Sequence, residues 1–112
     1  MGVTRVVKKE GDQLNYPKAG DKVGIFYTGT LVNGKKFDSS VDRGIPFECV
    51  IGRGNVIKGW DEGVPLMSLG EEATFTITPD YAYAERGFAH LIPPNSTLVF
   101  DMHLISINNM KA

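Results

Sequence analysis

Three segments of the chain alternate between apolar and polar residues. The stretch DKVGIFYTGTLV, residues 21–32, has apolar side chains at every second position, and the segments 72–78 and 97–107 follow the same pattern. A period of two residues is typical of a β-strand with one buried face. The apolar sides of the three predicted strands are Val23, Ile25, Tyr27 and Leu31; Ala73, Phe75 and Ile77; and Leu98, Phe100, Met102 and Leu104.

A hairpin is predicted immediately after the first of these strands. Asn33 and Gly34 separate TGTLV from KKFDSS, and Asn-Gly is a strong signal for a two-residue turn between antiparallel strands. Most of the chain is therefore expected to form an antiparallel sheet with one face in the core.

One short helix is predicted in the stretch 51–63, IGRGNVIKGWDEG. Ile57, Trp60 and Val64 fall at i, i+3 and i+7, and Pro65 is expected to end the run. The stretch contains four glycines, and each glycine inside a helix costs roughly 1 kcal/mol relative to alanine. Such a helix would depend on tertiary contacts, with Trp60 facing the core.

The same glycines raise the possibility of a phosphate-binding loop. Gly54 and Gly59 have the spacing G-x-x-x-x-G, which in nucleotide sites continues with Lys and then Ser or Thr. Here Trp60 and Asp61 follow, and a carboxylate would stand where a cation is needed. The pattern G-x-G-x-x-G fails as well, so a nucleotide site is rejected. We expect Asp61 and the neighbouring Glu62 to lie on a solvated helix face.

Composition narrows the functional classes further. The chain has 112 residues, of which 42% are hydrophobic, and this length predicts a single domain over 1–112. The net charge of −1 gives no electrostatic reason to expect nucleic acid or a membrane surface. The lone Cys49 fits a reducing compartment as a small buried residue, and the sequence shows no signal peptide. Neither His90 nor His103 has metal-ligand spacing, so we expect no metal or cofactor. The reduced cysteine and the absence of a signal peptide together favour a cytoplasmic protein.

Aromatic residues are spread over separate predicted elements. Such a set usually belongs to a hydrophobic core, but aromatic rings also wall apolar ligand pockets, with tyrosine hydroxyls at the rim. The sequence pattern alone leaves both interpretations open. The residues in question are Tyr27, Phe37, Phe47, Trp60, Tyr81, Tyr83, Phe88 and Phe100.

Four long motifs are similar to those of the FKBP family, the tacrolimus-binding peptidyl-prolyl isomerases. They are YTGTLVNGKKFDSS, GNVIKGWDEGV, TITPDYAYAERG and IPPNSTLVFDMHLISI, and the resemblance extends from about Gly2 to Ile107. It implies an α+β fold, a twisted antiparallel β-sheet of about five strands wrapped around one short α-helix. It also implies a monomeric, single-domain cytosolic isomerase that speeds the rotation of X–Pro bonds without a cofactor.

The resemblance also implies a set of site residues. Trp60 would form the floor of a proline pocket, Tyr83 would donate its hydroxyl to a ligand carbonyl, and the Ile57 N–H would be a second donor. Asp38 would lie at the pocket edge and pair with Arg43. The walls would be Tyr27, Phe37, Phe47, Val56, Ile92 and Phe100, with Phe88 as a further ligand contact.

The implied partners are proline-containing peptides and proteins, together with tacrolimus and rapamycin. The drug complexes would then engage calcineurin and the TOR kinase. Two alternatives stay open: a regulatory binding module of the same fold with little catalysis, and a structural interaction domain without a pocket. In the second case, the aromatic rings would be buried entirely against one another.

Three residues of the AERGFAHLIPP segment, 84–94, depart from the family pattern. Ala84 occupies a position that commonly holds Gly, Phe88 one that often holds His, and His90 one that often holds Gly or Pro. If the backbone at Ala84 requires a positive φ, alanine costs about 1 kcal/mol there. We expect these departures to affect ligand affinity and partner docking more than catalysis. Phe88 either adds an exposed apolar contact or packs against its own loop.

Overall fold

The fold is an antiparallel sheet that packs against one short helix. The structure, a computed structural model, describes residues 2–84, 87–88 and 91–112, and His90 lies outside them. Five strands run in the order β1-β5-β6-β2-β3, while β4 also pairs with β2 and β7 with β6. The predicted fold class is confirmed, with two short strands added. The strands are β1 Val3–Lys9, β2 Lys22–Leu31, β3 Lys36–Ser39, β4 Phe47–Val50, β5 Glu72–Ile77, β6 Leu98–Ile107 and β7 Met110–Lys111.

The core lies on the face of the sheet that the alternation predicts. Ile25 on β2, Phe75 on β5 and Leu104 on β6 are each 0–1% exposed. On each strand, the residues directly before and after the buried one point to the other face. The register places Phe75 opposite Phe100 and Tyr27 opposite Met102, so the inward side chains of three strands meet in one layer. The predicted turn at Asn33-Gly34 is also present, with Gly34 at φ +92°.

Two helical elements pack on or beside the sheet. Helix α1 spans Ser40–Arg43 and helix α2 spans Lys58–Gly63. The predicted helix therefore ends at Gly63, two residues before Pro65, and the chain continues as a turn of 3₁₀ helix at Val64–Leu66. A second 3₁₀ turn covers Pro79–Tyr81.

The glycines of α2 allow it to approach the sheet closely. A Cβ atom added at Gly59 would lie 2.6 Å from Cγ2 of Ile77, and one added at Gly63 would lie 2.6 Å from Cε2 of Phe75. Any larger residue would push the helix away from β5. The glycines thus weaken the helix locally but permit the packing that holds Trp60 against the sheet.

A break in the sheet edge brings polar residues toward Tyr27. Strands β3 and β4 both pair with β2, β3 at its C-terminal half and β4 at its N-terminal half, and α1 separates them. At this gap the Tyr27 N–H donates to Ser40 Oγ at 2.8 Å. The turn of α1 is capped by Ser39 Oγ, which accepts from the Asp42 N–H, and ends at Gly44 with φ +72°.

Candidate functional site

A cavity of about 280 Å³ opens between α2 and the sheet. Ten of the twelve predicted site residues line it; Arg43 and Ile92 do not, and Asn55 lines it without having been predicted. We call it the aromatic cavity, because seven of its eleven lining residues are aromatic. Its lining is Tyr27, Phe37, Asp38, Phe47, Asn55, Val56, Ile57, Trp60, Tyr83, Phe88 and Phe100.

Trp60 is the central ring of the aromatic cavity. It lies in α2 and is 5% exposed. Three other rings meet it nearly at right angles: Tyr27 at a centroid distance of 5.0 Å, Phe100 at 5.4 Å and Phe47 at 5.6 Å. Edge-to-face packing of this kind stabilises aromatic clusters beyond simple burial. The rings therefore pack on one another and still leave an open cavity beside them.

The remaining apolar walls come from three separate parts of the chain. Phe37 on β3 packs edge-on against Phe100 on β6, with centroids 5.6 Å apart. Val56 and Ile57 are half-buried residues of the loop that leads into α2. Ile92 was predicted as a wall, but it is 3% exposed and belongs to the core behind the cavity.

Tyr27, Asp38 and Arg43 form a hydrogen-bonded group at the edge of the aromatic cavity. The Tyr27 hydroxyl donates to the Asp38 carboxylate, which also forms an ion pair with Arg43. Burial, followed by the bond to Asp38, raises the pKa of Tyr27 to about 12. Partial burial tends to raise the pKa of Asp38, but the hydrogen bonds from Tyr27 and Arg43 outweigh it and hold that pKa below its usual value. At neutral pH the group is thus a neutral phenol, a carboxylate and a guanidinium.

Tyr83 and Phe88 come from the segment between β5 and β6. Their rings lie tilted at 32° with centroids 5.1 Å apart, and Phe88 is 50% exposed. Phe88 therefore does both things considered for it, because it packs against Tyr83 of its own loop and exposes an apolar face. The pKa of Tyr83 is raised, first by burial and then by the nearby Asp38 charge. Ala84 has φ +50°, so the condition for backbone strain at this residue is met.

The prediction that Asp61 lies on a solvated helix face is wrong, because its carboxylate binds backbone N–H groups of the same chain. Its two carboxylate oxygens accept the N–H groups of Gly52 and Gly54, each at 2.8 Å. Its neighbour Glu62 is exposed, as predicted, with Lys58 Nζ at 3.9 Å. The glycine-rich segment does bind an anionic group, but the group is a carboxylate of the same chain.

Sequence reasoning missed Asn55 and Asp61 for different reasons. Asn55 directly precedes Val56 and Ile57, so its place at the cavity could have been inferred from theirs. For Asp61 the available signal was a carboxylate in the first helical turn after a Gly-x-Gly segment, since clustered N–H groups attract a negative charge.

Within the described residues, neither the lone cysteine nor the metal-ligating residue types add a second site. The Cys49 thiol is half-buried, and burial followed by the Asp61 charge raises its pKa to about 11, so it is protonated at neutral pH. The described residues contain no group of three or more His, Cys, Asp or Glu arranged to hold a metal ion. Within the same residues, no helix has the length and apolar character needed to cross a membrane.

The chain is similar to known proteins over nearly its whole length. Residues 14–105 match the family described as FKBP-type peptidyl-prolyl cis-trans isomerase. A peptidyl-prolyl cis-trans isomerase of Schizosaccharomyces pombe is 63% identical over 112 residues, which is 100% of both chains. The FK506-binding protein 1A of Aspergillus fumigatus is 61% identical over the same span, and the FK506-binding protein 1 of Saccharomyces cerevisiae is 64% identical over 88% of this chain and 86% of its own. With this similarity and this fold, the chain belongs to the FKBP family and is a peptidyl-prolyl cis-trans isomerase.

Proposed function

We propose that the aromatic cavity is where the enzyme rotates X–Pro bonds. The observation that carries this proposal is the lining itself: seven aromatic rings around about 280 Å³, with Trp60 at the centre. A proline ring is compact and apolar, and it fits a cavity with this lining. The surrounding Val56 and Ile57 add aliphatic surface on the side of α2.

Desolvation of the peptide bond is the main catalytic effect in this mechanism. Rotation about an amide bond has a barrier of about 18–20 kcal/mol, and X–Pro bonds take tens to hundreds of seconds to isomerise unaided. The planar amide is dipolar because of resonance, and the twisted transition state loses part of that dipole. An apolar cavity therefore destabilises the planar ground state more than the twisted state. An acceleration of roughly 10⁵-fold corresponds to about 7 kcal/mol of such differential stabilisation.

Two donors are suited to hold the carbonyl groups that flank the twisted bond. Neither the Tyr83 hydroxyl nor the Ile57 N–H forms a hydrogen bond with another described residue, and both residues line the cavity. The Tyr27 hydroxyl is already committed to Asp38, so we assign it a structural role in fixing the wall. Asp38, with Arg43 beside it, presents the polar edge of the cavity. No nucleophile or proton transfer is required, because no covalent bond is broken.

The same cavity is proposed to bind tacrolimus and rapamycin. Support comes from the names of the relatives, which are FK506-binding proteins, and from the apolar rings that such macrocycles can cover. The resulting complexes would present the drug together with Phe88 and the loop around it to calcineurin or the TOR kinase. We further propose that residues 1–112 act as one domain and as a monomer on proline-containing peptides and proteins.

An isomerisation assay with a proline peptide tests the proposal. It would compare the wild-type protein, with and without tacrolimus, against the Trp60→Leu and Tyr83→Phe variants. Fast turnover that tacrolimus abolishes and that both variants reduce is the expected result. Turnover that persists with the drug bound would place catalysis outside the cavity. Negligible turnover with tight drug binding would instead support the regulatory binding module.

A further inference from the structure

The segment 52–56 forms one side of the aromatic cavity, yet the main chain gives it little support. It lies between Ile51, whose N–H and C=O bond to residues Asp21 and Gly20, and Ile57, where α2 begins. Among the described residues, no backbone–backbone hydrogen bond involves residues 52–56. Such a segment is free to shift unless side chains hold it.

Asp61 supplies the missing support. Its Oδ1 accepts from Gly52 and its Oδ2 from Gly54, both at 2.8 Å, so a single carboxylate binds the segment at two points. Both glycines have positive φ, +79° and +78°, a backbone conformation that glycine adopts without steric cost. Among the residues that the structure describes, the one further side-chain bond at the segment is a 3.4 Å contact from Asn55 Nδ2 to the Val50 carbonyl.

Asp61 also connects the two sides of the cavity. It follows Trp60 directly in α2, and its own N–H donates to the Ile57 carbonyl at 3.2 Å. The carboxylate thus fixes the loop that carries Val56 and Ile57 against the helix that carries Trp60. A shift of about 1 Å in residues that position a substrate can lower an enzymatic rate by roughly a hundredfold.

We propose that Asp61 is a positioning residue for the isomerase reaction, because its carboxylate holds the Gly52–Gly54 segment and thereby sets the separation of Val56 and Ile57 from Trp60. This inference rests on the proposed catalytic role of the aromatic cavity. Asp61 does not line the cavity and touches no substrate there. Its effect is transmitted through the loop.

The chemistry requires two equivalent acceptors at position 61. An asparagine has one carbonyl oxygen, and its NH₂ group would face the second glycine N–H, donor against donor. Hydrogen bonds to a charged acceptor are also about twice as strong as those to a neutral one. Asp61→Asn therefore releases one end of the segment with almost no change in side-chain volume. Asp61→Glu keeps both oxygens and is the conservative rescue variant.

The chain offers a matched control for loss of a carboxylate clamp. Asp12 also accepts two backbone N–H groups, those of Leu14 and Asn15, both at 3.0 Å, in an exposed loop that does not line the cavity. Asp12→Asn makes the same carboxylate-to-amide change at a site unrelated to catalysis, where both backbone N–H groups bond to Oδ1 and the second oxygen, Oδ2, accepts from Asn15 Nδ2 at 2.7 Å. Glu62→Gln removes a charge from the same helix and controls for electrostatics.

The experiment combines steady-state kinetics on a proline peptide with amide hydrogen exchange by NMR. In Asp61→Asn we expect kcat/KM to fall about tenfold, and the Gly52 and Gly54 amides to exchange faster, while Asp61→Glu retains most of the activity. The emission of Trp60, the single tryptophan, should shift in Asp61→Asn alone. Asp12→Asn and Glu62→Gln should keep the wild-type kcat/KM and emission.

Two results would overturn the inference. One is faster exchange at Gly52 and Gly54 with kcat/KM unchanged, which would show that the held segment does not matter for turnover. The other is an equal loss of kcat/KM in Asp61→Asn and Asp12→Asn when the two variants are also equally destabilised toward heat. The loss would then follow from general destabilisation and not from the position of the loop. Failure of the proposed function looks different: tacrolimus would then not inhibit the wild-type protein, whereas the exchange rates and Trp60 emission would still report whether Asp61 holds the loop.

Discussion

Two of the protein's concave surfaces lie on opposite faces of one sheet, and the larger of the two has the less suitable chemistry. The outer concavity, of about 550 Å³, is lined by outward-facing residues of β1, β2, β5 and β6, including Lys8, Phe26, Thr28, Asp101 and His103. The aromatic cavity has about half that volume. Phe26 and Thr28 flank Tyr27 in sequence, so adjacent residues of one strand serve the two surfaces.

The difference lies in composition and in the support behind the lining. The outer concavity contains one phenyl ring, and two of its polar side chains bond to each other, with Thr74 donating to Asp101 at 2.6 Å. In the aromatic cavity, Trp60 and Phe100 are at most 5% exposed. They pack against each other, and both pack against the ring of Tyr27. A lining of packed aromatic rings can desolvate a peptide bond, whereas the outer concavity offers a single phenyl ring among aliphatic, threonine and charged side chains. Volume alone therefore does not identify the site.

The strongest test of this difference replaces one ring on each face. In Trp60→Leu, the central ring of the aromatic cavity is lost, and we expect kcat/KM for a proline peptide to fall by roughly a hundredfold. In Phe26→Leu, a ring of the outer concavity is replaced by the same residue, and kcat/KM should stay within about twofold of wild type. Both proteins should be compared at a temperature where circular dichroism shows each to be folded. Equal losses in the two variants would contradict the assignment of catalysis to the aromatic cavity.

A second test compares two tyrosines that are close in sequence, Tyr83 and Tyr81. Removing their hydroxyl groups should change kcat/KM by different but smaller factors than the loss of Trp60. Tyr83 lines the aromatic cavity, whereas Tyr81 does not and instead packs on Gly2. Tyr83→Phe would remove the proposed hydrogen bond to a substrate carbonyl. Because such a bond would strengthen in the transition state, kcat/KM should fall about tenfold. Tyr81→Phe should leave kcat/KM unchanged. An unaltered rate in Tyr83→Phe would show that the bond to the flanking carbonyl is made by another donor.

Much of the fold could be predicted from the sequence because it depends on local patterns. The alternation around Ile25, Phe75 and Phe100 identified the buried face of three strands, and Asn33-Gly34 identified a turn. For the site, the residues alone gave a set of aromatic rings that could equally have formed a closed core. Similarity to known family motifs favoured the pocket. The structure shows that the rings pack against one another and also line an open cavity.

What could not be predicted depends on contacts between distant segments. The one-turn helix α1 has no apolar periodicity, and it forms where β3 and β4 leave a gap beside Tyr27. The bonds from Gly52 and Gly54 to Asp61 depend on how the loop folds back over α2, which the Gly-x-Gly segment and the carboxylate that follows it indicate only indirectly. Ile92 was placed on the wall by resemblance to the family's motifs, but it is buried in the core and does not line the cavity.

The unfolding free energy at alkaline pH should depend on the buried phenol of Tyr27, which lines the aromatic cavity. The folded protein holds the pKa of Tyr27 at about 12, above its ordinary value of 10.0. A raised folded-state pKa contributes stability that is complete below pH 10 and is lost as the pH rises toward 12, because the unfolded chain loses its proton first. Tyr27→Phe should therefore be less stable than wild type by about 1 kcal/mol at neutral pH, through loss of the bond to Asp38.

The gap between these two proteins should shrink above pH 10, as measured by urea unfolding at a series of pH values. Phe26→Leu, which keeps every tyrosine, provides the control, since its unfolding free energy should run parallel to that of wild type over this range. A constant gap between wild type and Tyr27→Phe up to pH 12 would mean that the Tyr27 phenol does not titrate later in the folded state.

The smallest expected effect concerns backbone strain next to the aromatic cavity. Ala84 follows Tyr83 and has φ +50°, a conformation in which the Cβ atom costs about 1 kcal/mol. Glycine removes this cost but increases the entropy of the unfolded chain, so Ala84→Gly should raise the unfolding free energy by only about 0.5 kcal/mol. Ala19→Gly, at an exposed residue whose φ is not positive, relieves no such strain and should lower the unfolding free energy. If both substitutions destabilised the protein equally, the strain at Ala84 would be absent in solution, and the loop beside Tyr83 would have a different backbone from the one described.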